Sequence, residues 1–326
     1  MNFQQLLKTA PITTLLLISF IGLFVIQVLT GVDANNPTTE ELLKWGANAL
    51  PYTMDDEPWR LASSAFLHIG LMHLLFNGFA MYFFGQIAEP MFGSGKFLAL
   101  FLLAAIGGNL LNNYVTWQGI LDGTGQPGLS AGASGGIMGI GAALLIAALF
   151  KISVNGMVLN LKSLIIIMAI NLVYGFAVPG IDNAGHIGGA ITGLVIALAF
   201  AIAYRQKMDI MLKNMPNQAT VSYQTSYINV PASSNTDFLA NPSRFDNDAN
   251  FDNNNSFNHG SAVNLAIDSP ASHRTFGEQN ILPKSPLIWS LLPWLVMLLI
   301  SLGFIWWWQD IHQQLLQVLA AIESNA

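Results

Sequence analysis

Seven apolar runs of about 17–25 residues constrain this chain more than any other feature. They lie at roughly 12–30, 69–88, 97–117, 134–150, 163–179, 185–204 and 287–308. That length crosses the ~30 Å hydrocarbon layer of a bilayer as a helix. In lipid, a single segment has no other way to pair its own N–H and C=O groups. The sequence therefore reads as an all-α integral membrane protein with a six-helix bundle and one appended C-terminal transmembrane helix. Only 9% of the 326 residues are charged, against about 25% in a soluble domain, so the chain cannot cover a normal water-facing surface. The first run lacks a small-residue cleavage site and continues into Gly31-Val32-Asp33. It reads as a span rather than a removed signal.

Charge sets the expected direction. With the N-terminus inside, the inner segments hold Lys8, Lys96, Lys151, Lys162, Arg205, Lys207, Lys213, Arg244, Arg274 and Lys284, and the outer ones only Lys44 and Arg60. The positive-inside rule then places residues 1–11 in the cytoplasm and 309–326 outside. Trp306-Trp307-Trp308 form an interfacial belt near the outer end. Residues 12–204 read as the core. Its long outer loop, 31–68, opens on the capping-box pattern Thr38-Thr39-Glu40-Glu41 and has an apolar side suited to the interface. Residues 205–286, rich in Asn, Ser, Asp and Pro, read as a disordered cytoplasmic linker to the span at 287–308.

Several functions are excluded. A net charge of −6 without a basic cluster argues against a nucleic-acid partner. The absence of Cys removes thiol nucleophiles and Cys-ligated zinc. Paired broken helices in two halves, the mark of many transporters, are not seen.

Polar residues inside spans are costly and by default suggest function. The second span carries His73 and Asn77, four apart on one helix face, with His68 at its outer mouth. They serve either as helix–helix hydrogen bonds or as part of a site. The fourth span opens with Gly132-Ala133-Ser134-Gly135-Gly136. A Ser in such a turn has helix N-terminal N–H groups beside it, as a nucleophile that forms an oxyanion requires. A Gly/Ser packing patch is the plainer alternative. The sixth span carries His186 beside the stripe Gly185, Gly189, Gly193. A lone His there serves as a structural donor, a metal ligand or a base.

Depth favours one joint reading. Ser134 begins a short span that falls below the outer face. His186 lies in the first turn of a span entering from outside, and His73 one turn below the outer end of its own. All three share one layer. Ser134 then acts as nucleophile and His186 as its base, a dyad without an obvious Asp. The Ser134 N–H, His73 and Asn77 supply the oxyanion donors. Asp182 is close to His186 in sequence, Ser94 falls on the inner side, and Ser130 lacks the glycine frame.

In this order and on these spans, the residues resemble the rhomboid family of intramembrane serine proteases. The matching elements are Trp59-Arg60, His68/His73/Asn77, Gly132-Ala133-Ser134-Gly135, Gly185-His186, and Glu89 followed by Phe92-Gly93-Ser94-Gly95-Lys96. The resemblance covers about residues 10–205. It implies cleavage of single-span membrane proteins near the outer end of their helix, at small residues, with no cofactor and no metal. By carry-over, Trp59-Arg60 would shape the interfacial loop, and the fifth span with the loop to Asp182 would form a lateral gate. One departure is Met138, where many members place Tyr one turn after the nucleophile. Two other readings compete. A zinc site from His68, His73 and His186 lacks the HExxH pattern, and the inactive relatives of the family lack the Ser or the His.

Overall fold

A computed structural model describes residues 3–125, 128–153, 159–177, 182–213 and 286–325. The chain divides into one compact unit of Met1–Asn214 with Pro283–Ala326, and a second of Met215–Leu282 that lies outside the described residues. The expected disordered linker falls mostly there. In the first unit, α1 (Phe3–Thr9) leads into α2 (Pro11–Leu29). Residues 31–68, the expected outer loop, contain α3 (Thr39–Lys44), β1 (Asn48–Ala49), α4 (Leu50–Thr53), α5 (Arg60–Ser63) and a 3₁₀ turn, Ser64–Phe66. Then come α6 (Leu71–Phe92), α7 (Ser94–Leu121), β2 (Leu129–Ser130), α8 (Ser134–Leu149), α9 (Leu161–Ala177), α10 (Asn183–Lys213) and α11 (Leu287–Asn325).

Of these, α2, α6, α7, α10 and α11 are long and apolar enough to cross a membrane by length and composition, while α8 and α9 are shorter. Two helices overrun the apolar windows. α10 continues past 204 to Lys213, and α11 past 308 to Asn325. In both cases the sequence turns polar but stays free of Gly and Pro, so helix propensity carries the backbone on.

α8 sits at the centre, packed on α6, α7, α9 and α10. Phe97, Phe101, Met81, Ile140, Leu144 and Ile196 are fully buried in the core around it. The outward faces are apolar too: Phe76 and Phe79 on α6, Ile191 on α10 and Leu298 on α11 are exposed, as a lipid-facing surface requires.

A buried acid ties one end of the bundle. α2 begins at Pro11 after Ala10, which offers no side-chain cap. Glu89 of α6 replaces that cap across space. Its carboxylate accepts from Ile12 N (2.9 Å), Thr13 N (2.7 Å), Thr13 Oγ1 (2.8 Å) and Ser94 Oγ (2.6 Å). A negative charge at a helix N-terminus also complements the dipole.

The outer loop is pinned at several points. Thr38 and Glu41 form a reciprocal capping box on α3. The buried Arg60 pairs with Glu57, donates to Leu43 O (2.7 Å) and Ala47 O (3.0 Å), and lies against the rings of Tyr52 and Trp59. β1 pairs antiparallel with β2, Asn48 opposite Ser130. The two-stranded ladder thus fastens the outer loop to the segment that leads into α8. α11 packs on α7 and α10, and Trp308 Nε1 reaches the outer loop to donate to Thr53 O at 2.8 Å.

Candidate active site

The turn before α8 decides what faces Ser134. Gly132 has φ +140°, a conformation that L side chains rarely adopt. Its N–H donates to Ser64 O at 2.9 Å. A Cβ at this position would lie 2.6 Å from His73 Cε1, 2.9 Å from His73 Nε2 and 3.6 Å from Asn77 Nδ2. The glycine therefore lets the backbone preceding Ser134 lie against the imidazole and the amide of α6. Ser134 follows as the first residue of α8, where the first-turn N–H groups have no intrahelical partner.

The two α6 side chains point donors at this turn. His73 Nδ1 accepts from Ile69 N at 3.2 Å, so in the neutral ring the proton resides on Nε2, which lies on the Gly132 side of the ring. Asn77 is buried, and its Nδ2 has no partner among the described residues. A buried donor without an acceptor costs about 1–3 kcal/mol and calls for an explanation.

The α8–α10 crossing brings His186 to this level. A Cβ on Gly189 would lie 2.0 Å from Gly135 O, and one on Gly193 2.2 Å from Gly139 O. Backbone is thus packed on backbone, with Gly135 beside Ser134 in sequence and Gly189 one turn from His186. A Cβ on Gly135 would lie 3.3 Å from the carbonyl oxygen of Gly185, the residue before His186. Ser134 and His186 stand on adjoining helices, and no hydrogen bond joins them among the described residues. His186 Nδ1 is buried and likewise unpaired.

Ser134 lines a small pocket with Gly132, Gly135, Asn109, Ser130, Asp182 and Gly185, with room for roughly one water. This pocket contains what the sequence reading missed. Asp182 caps α10, its Oδ1 accepting from Gly185 N (2.7 Å) and Asn112 Nδ2 (2.8 Å). Its Oδ2 accepts from Ser130 Oγ at 2.7 Å. Ser130 Oγ also lies 3.2 Å from Asn109 Oδ1, so its single proton is shared or alternates between the two acceptors, and the Asn109 amide donates to Leu61 O and Ser64 Oγ, both at 2.8 Å. Ser130, set aside for lacking a glycine frame, is thus a link between the outer loop, α7 and the start of α10. The signal available in sequence was Asp182 three residues before Gly185, an N-cap spacing.

The other singled-out residues stand as follows. His68 is fully buried, its ring packed on Phe20 and His73. Met138 is buried on α8 one turn after Ser134. Arg60 and Trp59 hold the outer loop, and Trp59 is half-exposed. Ser94 bonds Glu89 at the far end of the bundle. No three His, Cys, Asp or Glu among the described residues converge as metal ligands. Residues 178–181, part of the expected gate, lie outside the described residues.

Comparison with known proteins bears on the whole arrangement. Residues 55–203 match the Rhomboid domain. The chain is 39% identical over 184 residues to the rhomboid protease GluP of Bacillus subtilis, covering 56% of this chain and 34% of that protein. It is 34% identical over 177 residues to the rhomboid protease AarA of Providencia stuartii, covering 49% of this chain and 62% of that one. The putative rhomboid protease YdcA of Bacillus subtilis is 28% identical over 199 residues and is covered to 92% of its length. The chain thus spans about a third of GluP and under two thirds of AarA. The matched stretch contains the helices that carry His73, Asn77, Ser134 and His186, and this integral membrane protein is, over residues 55–203, similar to the Rhomboid domain and to proteins named rhomboid proteases.

Proposed function

We infer that this protein is an intramembrane serine endopeptidase. The observation that carries the reading is the convergence on the Ser134 turn of two α6 side chains, His73 and Asn77, one of them an unpaired buried donor. A packing patch has no use for an orphaned amide; a site that stabilises a developing oxyanion does.

In this reading Ser134 Oγ attacks the carbonyl carbon of the scissile peptide, and its proton passes to His186. The carbonyl oxygen becomes an oxyanion held by Ser134 N–H, His73 Nε2–H and Asn77 Nδ2. The intermediate collapses, His186 protonates the departing amine, and an ester to Ser134 remains. A water then attacks that ester with His186 again as base, releasing the acid and restoring Ser134. Ser134 and His186 must tighten their contact when substrate binds, as catalytic pairs in empty sites commonly do. The small polar pocket beside Ser134 is the place for the hydrolytic water.

The substrates in this reading are single-span membrane proteins cut near the outer face at small residues. The protein resides in a bacterial inner membrane with its N-terminus inside and the end of α11 outside. The test is cleavage of a single-span reporter by purified protein in detergent. Ser134→Ala and His186→Ala abolish cleavage with melting temperatures preserved, and Asn77→Ala lowers turnover about 10²–10³-fold. Full activity in Ser134→Ala refutes the assignment. A wild-type protein that binds the reporter without cutting it makes the protein an inactive relative.

A further inference from the structure

The end of the bundle away from Ser134 holds a second cavity, of about 120 Å³, between the core helices and α11. Its position follows from α8, whose 16 residues set the two ends roughly 24 Å apart at ~1.5 Å per residue. Lys96 from the first turn of α7 and Lys207 near the end of α10 line it, with Phe200, Tyr204, Trp289 and Pro293 among the walls. Both ammonium-bearing side chains are partly buried and line the same cavity.

Neither lysine has an acidic partner among the described residues, where the ion pairs are Lys44–Glu40 and Arg60–Glu57. The nearby buried acid, Glu89, is already committed to Ile12, Thr13 and Ser94. Two partly buried like charges facing one cavity are unfavourable alone and favourable around an anion. The setting also selects the anion. Lys96 Nζ is held over the Phe200 ring, 6.0 Å from its centroid. Trp289 and Tyr204 are the amphipathic aromatics that settle at headgroup depth. One turn past Lys207 on the same face of α10, Met211 is exposed and apolar.

We propose that this cavity binds a phosphate group, carried by an anionic phospholipid headgroup, with Lys96 and Lys207 as its cationic ligands. α11 completes the cavity through Trp289 and Pro293, so the lipid would sit as a bridge between core and appended helix. Nothing in this proposal depends on Ser134 chemistry.

The experiment measures binding of fluorescent short-chain phosphatidylglycerol to the full-length protein in neutral detergent, with matched phosphatidylcholine as the comparison. Phosphatidylglycerol binds at least tenfold more tightly. Lys96→Gln and Lys207→Gln each weaken it about fivefold and leave phosphatidylcholine unchanged, while Lys207→Arg retains binding. Lys151→Gln, at the same end but outside the cavity lining, has no effect. Displacement by millimolar inorganic phosphate supports a site for the phosphate group alone, and resistance to it supports one that needs the whole lipid. Equal binding of the two lipids overturns the proposal. So does wild-type binding by both Lys→Gln variants, or an equal loss in Lys151→Gln.

Discussion

Gly189→Ala isolates the contact that sets Ser134 and His186 at one level. Alanine is ordinarily about 1 kcal/mol better than glycine inside a helix. At Gly22 and Gly303 an added Cβ meets nothing within 4 Å, so alanine there is neutral or mildly stabilising. At Gly189 the same atom would lie 2.0 Å from Gly135 O and 3.0 Å from Gly135 Cα. Ordinary contact begins near 3.4 Å, and the obstruction is backbone, which has no rotamer to yield. The two helices must part locally by about 1.4 Å. Overpacking of this kind costs about 1–3 kcal/mol, which outweighs the propensity gain. His186 is three residues from Gly189 and moves with it, while Ser134 adjoins Gly135. A misplacement near 1 Å can cost about 10²-fold in rate. The assay is initial-rate cleavage of a single-span reporter in detergent, with thermal melting of the same samples. The expected result is a turnover loss of about 10²-fold in Gly189→Ala, with Gly22→Ala and Gly303→Ala unaffected. Wild-type turnover in Gly189→Ala would show that the α8–α10 crossing does not set catalytic geometry.

Other perturbations probe separate parts of the structure. Asp182→Asn loosens the cap on α10 and lowers stability by about 1–2 kcal/mol; kinetics should show a fall in kcat at unchanged KM, and unaltered melting and turnover would remove Asp182 from the anchoring of His186. Glu89→Ala strips the acceptor from four donors at the far end of the bundle, and loses about 3 kcal/mol or more in a denaturant titration in detergent; Glu89→Gln, which keeps a carbonyl acceptor, loses less. Prolonged dialysis against EDTA leaves reporter cleavage unchanged, and a loss restored by added zinc would return His68, His73 and His186 to consideration as ligands.

The membrane helices were legible because a span is a matter of apolar length, and length is written locally. Their ends were not. The apolar window closes where α10 and α11 meet polar residues, whereas the helices end only where propensity or a breaker stops them. The expectation that Ser134, His73 and His186 share one layer comes from where each falls within its own span. The approach of Gly132 to the His73 ring was not legible, because it depends on the angle between α6 and the turn before α8. Least legible was the set Asn109, Asn112, Ser130 and Asp182. These are short polar side chains on three separate segments, with no period and no motif, joined only once the fold brings them together. Glu89 poses a similar difficulty: the residue that caps α2 lies 76 and 77 positions away from Thr13 and Ile12.

Labelling with a fluorophosphonate probe, followed by peptide mapping, tests the central claim without knowledge of the substrate. Wild-type protein should carry the adduct on Ser134, Ser134→Ala should carry none, and His186→Ala should label at a small fraction of the wild-type rate. An unlabelled wild-type Ser134 in folded protein, or labelling indifferent to the loss of His186, would contradict the proposal that these two side chains act as nucleophile and base.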